Sequence, residues 1–210
     1  MKNAYGWLAT TAIALSLFIA CAENTNEKGD AQLLPTEETS YTEDETAALG
    51  LANEASMTAQ QQLVEMLVHA LEDSGTAKAV VFCNIHVGGI YDSIKANFGI
   101  DVKRVSHKPR NPANAPTERE LKLIEEYSVS SKQNAFPIFD DGDHYTAYRP
   151  IRMSILACSK CHGIPGEDIE ETTLITLSML YPDDKATGFK YKDLRGLWRV
   201  EVPKTKTQEL

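Results

Sequence analysis

Between residues 158 and 162 the chain reads Cys158-Ser159-Lys160-Cys161-His162. Two thiols three residues apart, followed at once by an imidazole, is the spacing of covalent attachment of a c-type haem. On one turn of helix the two sulfurs can reach the two vinyl groups of a porphyrin and form thioethers. The adjoining His162 then offers its imidazole to the iron as proximal ligand. A fold that serves this string must build a pocket around one short helical turn. Other uses of the string fit less well. A thioredoxin-like Cys-x-x-Cys would follow a strand in a βαβ unit, and none is visible. A zinc site would want a second Cys-x-x-Cys or a His pair at familiar spacing. A Cys158–Cys161 disulfide is the remaining alternative in an oxidising compartment.

The amino terminus points to such a compartment. No charged side chain occurs from Asn3 to Ala22, and Trp7 to Ala20 is mostly apolar. This suits the h-region of a signal peptide, with Lys2 as a weak positive n-region. The run closes on Leu17-Phe18-Ile19-Ala20-Cys21, a small residue before a cysteine, as in a bacterial lipoprotein cleavage box. Residues 1–20 are then a lipoprotein-type signal peptide, and Cys21 is the lipid-bearing first residue of the mature chain. The alternative is an uncleaved signal anchor, since about 20 residues can span a bilayer. Either way the rest of the chain lies outside the cytoplasm, where haem attachment takes place. The expected location is the periplasmic side of a bacterial membrane, inner or outer.

Charge separates a leader region from a domain. The net charge of -9 sits mostly between residues 22 and 60, where nine acidic residues face only Lys28. Residues 61 to 210 carry 21 acidic and 19 basic residues, close to balance. No basic face for nucleic acid is expected. Residues 21–45, polar and acidic, read as a flexible tether, and residues 46–210 as one domain.

Within that domain, Leu49, Ala52, Ala59, Leu63, Met66, Leu67 and Ala70 recur at three and four residues, predicting a helix from Thr46 to Asp73. Gly75 is a natural stop, and Thr76 can cap a second helix running to Asn97. Thr117 and Glu120 form a capping box for a helix to Tyr127. Asp141-Gly142 between Phe136–Phe139 and Tyr145–Met153 marks a hairpin. Asp168 to Leu180 reads as helical, and Ala186 to Val202 as two further strands. Helices first and strands later predict an α+β fold with an antiparallel sheet.

A haem iron held by His162 needs a partner on its other face. Cys83, His86, His69, His107, His144 and the methionines are the candidates. At ~100° per residue, Cys83 falls inside the apolar arc of Val80, Val87, Ile90 and Ile94, with His86 at its margin. A helix laid over a haem would carry such a thiol, and so would a helix with a small core residue. The arrangement differs from small cytochromes c, whose motif lies near the start, and from four-helix cytochromes, whose motif lies near the end.

Several ordered strings resemble one family. They are Cys83, Arg104-Val105-Ser106, Arg110-Asn111-Pro112-Ala113-Asn114-Ala115-Pro116 with Glu120, Arg149-Pro150-Ile151, Cys158 to Gly163, Tyr181-Pro182, Lys185-Ala186-Thr187-Gly188 and Asp193-Leu194-Arg195-Gly196. Over residues 57 to 203 they resemble the PAS-like c-type haem domains, exported proteins with a single haem. The resemblance implies a PAS-like antiparallel sheet with N-terminal helices packed on it. It also implies a haem iron ligated by the motif histidine and by a cysteine matched by Cys83. Lys192 stands where a glycine is usual. Arg110 and Asn111 either contact the haem propionates or hold their Pro-rich loop.

A thiolate and an imidazole on one iron would favour the ferric state. The expected function is a redox or gas sensor module acting through a partner protein, with an electron-transfer cytochrome as the alternative. An enzyme is not expected, because a closed distal position offers substrate no place to bind.

Overall fold

The computed structural model describes residues 32–208, apart from 131 and 133. The leader, Cys21 and the first part of the tether lie outside the described residues.

The chain forms an α+β domain with a PAS-like sheet and a long N-terminal helix packed on it. Helix α1 (Glu43–Phe98) begins at a reciprocal capping box: Thr42 N–H donates to the Glu45 carboxylate at 2.8 Å, and Glu45 N–H to Thr42 Oγ1 at 3.2 Å. Three acids in its first turn add favourable charge at the positive end of the helix dipole. Gly75 breaks the helix at φ 74, ψ 176, a combination open essentially to glycine. The two expected helices are therefore two segments of one element, the first starting three residues earlier than expected because Thr42 supplies the cap. Gly99, at φ 68, ends it.

Four strands follow: β1 (Asp101–Val105), β2 (Ile138–Asp140), β3 (His144–Arg152) and β4 (Leu194–Pro203). They form an antiparallel sheet in the order β1-β4-β3-β2. Alternation along β4 sends Trp198, Val200 and Val202 to one face and Leu197 to the other. The first face receives α1, whose Ala48, Ala52, Ala55 and Ala59 are all 0% exposed and let the helix backbone approach closely. The second receives α2 (Glu118–Val129), through Leu123, Ile124 and Tyr127. The expected Thr117–Glu120 capping box starts α2, with Thr117 N–H donating to Glu120 Oε2 at 2.7 Å.

Helices α3 (Leu156–His162) and α4 (Glu171–Leu180) follow β3. Helix α4 and the preceding Ile169 lie on the second segment of α1, with Leu177 and Ile169 clustered on Val80. Thr173 Oγ1 donates to Thr76 Oγ1 at 2.7 Å, and Tyr181 O–H to Asn84 Oδ1 at 2.7 Å. A short α5 (Lys204–Thr207) closes the described chain.

Two expectations need correction. Only one strand, β4, forms between Ala186 and Val202, because the backbone of 186–189 bonds to the end of α3. Gly188 N–H donates to Gly163 O at 2.7 Å and Phe189 N–H to His162 O at 2.9 Å. Polar groups used there cannot also form a ladder. The stretch read as a tether is also not free throughout. The Leu33 and Leu34 N–H groups donate to the Glu126 carboxylate at 2.8 and 2.9 Å, and Leu34 is 2% exposed among α2 side chains. Composition shows the acids of this stretch and hides the two leucines that dock it. Lys192, in the turn before β4, sits at φ 72, the backbone conformation that suits the glycine usual there. Its N–H donates to Met153 O at 2.9 Å, and Met153 N–H donates to Asp193 O at 3.0 Å, which holds the turn. No helix among the described residues is long and apolar enough to cross a membrane.

Candidate haem site

A cavity of about 400 Å³ opens where α1 on both sides of the Gly75 break, the ends of β1 and β4, the loop after β1, and α3 meet. Its volume falls in the ~300–1,000 Å³ range of cofactor and small-molecule sites. Helix α1 lines it with Val80, Cys83, Val87 and Tyr91, and α3 with Cys158, Cys161 and His162. The β3–β4 pairing is irregular between Ile151 and Arg152 at this end, and both residues face the cavity. Gly196 is forced by close approach: a Cβ there would lie 2.3 Å from Val105 O.

The Cys158–His162 string is helical, and its end is held by main-chain bonds. Gly163 leaves no room for a side chain, since a Cβ would lie 2.5 Å from Asp168. His162 Nδ1 is 2.8 Å from Ala186 O. A carbonyl only accepts, so Nδ1 carries the proton and Nε2 keeps its lone pair, the tautomer of metal-ligating histidines. Burial, reinforced by the cations of Arg195, Arg110 and Arg104, holds this imidazole well below its usual pKa, so it is neutral at pH 7.

Cys161 is buried with Val80, Ile169 and Leu177, and Cys158 packs against Met153, Ala186 and Phe189. Burial pushes the Cys161 thiol up, opposed by Arg110. Burial likewise pushes the Cys83 thiol up, opposed by Arg104. Cys83, Cys158 and Cys161 form no disulfide.

The remaining candidates for a sixth ligand separate cleanly. His86 is exposed and stacks on Phe82, with ring centroids 4.2 Å apart. His69 and His107 are exposed, and His144 Nδ1 pairs with Asp143 at 2.6 Å; none of these four lines the cavity. Met153 does, but it belongs to the cluster with Cys158 on the wall that already supplies His162. Cys83 is the thiol that α1 brings to the cavity. The aspartates of the hairpin turn are tied up in ion pairs, Asp141 with Arg119 and Asp140 with Lys204, both at 2.8 Å. Among the described residues, no group of three or more His, Cys, Asp and Glu could hold a bare ion.

Arg110 and Asn111 also line the cavity. Arg110 Nε pairs with Asp184 at 3.0 Å and its Nη2 donates to Cys161 O at 2.5 Å, joining the loop to the end of α3. Asn111 Oδ1 accepts from Ala113 N–H at 3.0 Å and caps the turn Pro112–Asn114. Three residues of the site carried no assigned role from the sequence. Arg104 and Arg195 belonged to strings whose order was legible and whose direction of approach was not. Ala186 acts through its carbonyl, which leaves no trace in side-chain chemistry.

The donor set suits a haem: a neutral imidazole with a free Nε2, two thiols on the same helical turn, a third thiol from another element, and arginines at the rim. Comparison with known proteins agrees with that chemistry. No curated protein matches the sequence. The crystal structure of the cyanobacterial heme-protein Tll0287 is similar, with a TM-score of 0.53 and 26% identity over 70% of this chain and 92% of that one. The Tll0287-like family model matches residues 25–203, most of the sequence, and on that match the chain belongs to the Tll0287-like family.

Proposed function

We propose that this chain is an exported, lipid-anchored single-haem c-type protein that serves as a redox or gas sensor module for a partner protein. One observation carries the reading: Cys83 from α1 and Cys158, Cys161 and His162 from α3 meet at one cavity. Cys158 and Cys161 would hold the haem covalently, His162 Nε2 would ligate its iron, and Cys83 Sγ would be the second axial ligand. When bound, the haem supplies a one-electron couple. Exclusion from bulk water comes from the apolar wall of Leu63, Val64, Leu67, Val80 and Val87. The Ala186 carbonyl fixes the imidazole's orientation and raises its basicity as a ligand.

Sensing is favoured by where Cys83 sits. It lies eight residues beyond the Gly75 break, on the element that also covers the sheet. A change in the bond to Cys83 would move the second segment of α1 against the first, a hinge-type motion a partner can read. Cys21 would carry the lipid that keeps the module at the membrane.

The test begins with acid-acetone extraction and haem staining of a denaturing gel. Covalent haem stays with the wild-type band and is lost in Cys158→Ser/Cys161→Ser; pigment that washes free from the wild type overturns the reading. Cys83→Ser should change the ferric spectrum from a six-coordinate sulfur-ligated form, and an unchanged spectrum removes Cys83 as ligand. Rapid electron exchange with a small cytochrome or quinone would reassign the protein as an electron carrier.

A further inference from the structure

The walls of the cavity carry one sign of charge. Four arginines line it, Arg104, Arg110, Arg152 and Arg195, and no aspartate or glutamate does, in a chain whose net charge is -9. Buried cations need partners, and like charges brought together repel unless an anion joins them. Arg110 has its carboxylate in Asp184. Arg152 sends its Nη groups toward the carbonyls of Lys192 and Tyr127, at 3.4 and 3.5 Å. Arg195, Arg104 and Arg152 make no ion pair with a carboxylate among the described residues, and Arg152 Nε, like that of Arg195, is buried without a hydrogen-bond partner. Arg195 Nη1 donates to Ser106 Oγ at 2.7 Å and to Lys108 O at 3.2 Å, which fixes the guanidinium while its Nε stays buried without a hydrogen-bond partner. Arg104 Nε donates to Tyr91 Oη at 2.9 Å, its guanidinium lies 5.9 Å from the Trp198 ring, and the residue lines the cavity. Burial and the crowding of Arg104 and Arg110 pull Arg195 down to about 9, a measure of how poorly the site tolerates its own cations.

We propose that Arg195 and Arg104, and not Arg110 and Asn111, receive the two carboxylates of the bound haem. This assignment rests on the haem reading above. The cavity is amphipathic in the sense such a ligand requires, with aliphatic residues of α1 on one wall and a pair of preorganised forks at the strand ends. Arg–carboxylate forks give both energy and direction. Arg110 and Asn111 keep separate duties: one joins the Pro-rich loop to α3, the other closes its turn.

Resonance Raman spectra of the full-length, haem-loaded protein test this through the propionate-bending band. A downshift is expected in Arg195→Gln and in Arg104→Gln, with the band unmoved in Arg110→Gln. An unmoved band in both of the first two, or a shift confined to Arg110→Gln, overturns the assignment. Should Arg195→Gln fail to fold, a crystal structure of the haem-loaded wild type decides. Propionate oxygens within ~3.2 Å of Arg195 Nε are expected, and propionates in solvent or on Arg110 overturn the proposal. A wild type without covalent haem defeats the underlying reading, whereas stained protein with unmoved bands defeats only this one.

Discussion

The alanine stretch of α1 well before Gly75 and the cavity-lining stretch after it are built by opposite rules. Before the break, four alanines at 0% exposure press the helix onto Trp198, Val200 and Val202, with no gap to spare. After it, Val80, Ile90 and Ile94 are buried, while Cys83 and Val87 are half-buried at a cavity and a Cβ on Gly88 would meet nothing within 4 Å. The alanine stretch Ala48–Ala59 is finished as protein alone, whereas Leu63, Val64 and Leu67, nearer the break, already join the cavity wall. The stretch after the break has its apolar face shaped for something the polypeptide does not supply. A single helix thus shows how a packed interface and a cofactor wall differ: one excludes any further atom, the other reserves room.

Three substitutions probe that contrast, in falling order of effect. Trp198→Ala opens the closed side: Trp198 is 1% exposed, and its Nε1 donates to Gln60 Oε1 at 3.0 Å. The loss should be about 3–5 kcal/mol by denaturant unfolding, the usual cost of removing a buried large aromatic. A loss below about 1 kcal/mol would mean that this interface is not tightly packed. Next, Ala55→Leu should cost about 1–3 kcal/mol by overpacking, whereas Gly88→Ala on the cavity side should stabilise the haem-free chain by about 0.5–1 kcal/mol through helix propensity. Equal costs for both would erase the distinction between the segments.

The smallest effect lies at the hairpin turn, remote from the cavity. The Arg119 hydrogen bond, the largest influence on Asp141, holds its carboxyl below the ordinary value. A lowered folded-state pKa contributes stability that is present above the unfolded value, near pH 4, and is lost as pH falls through the lowered one. Both side chains are part-exposed, so Arg119→Ala should cost no more than ~1 kcal/mol at pH 7. That difference should shrink between about pH 4 and pH 2 in unfolding titrations. A difference that persists at pH 2 would assign the effect to packing of Arg119 on Phe139, 4.8 Å away.

How much was legible in the sequence followed from how local each cause is. The capping box of Thr117 and Glu120, the stop at Gly75 and the turn at Asp141-Gly142 are fixed by neighbours within a few residues, and each appears where expected. The helical turn of Cys158 to His162 is equally local. What escaped was set at a distance. Leu34 is anchored by Glu126, 92 residues away, so an acidic stretch read as solvated is docked. Residues 186–189 have strand-like composition, but their hydrogen bonds go to α3. The arginines could be counted from the sequence, yet only the fold shows that Arg110 pairs with Asp184 while Arg195 makes no ion pair among the described residues.

The bond between His162 and Ala186 has an evolutionary and practical corollary. Every amino acid carries a carbonyl, so no exchange of side chain at position 186 can delete this acceptor, although a larger one at this 0% exposed site would displace it. Only shifting the ribbon that presents it, held by Lys108, Arg110 and Gly163, would alter how strongly the ring is polarised. An engineer wishing to retune the ring should therefore move that ribbon, by changing its length or the packing that seats it.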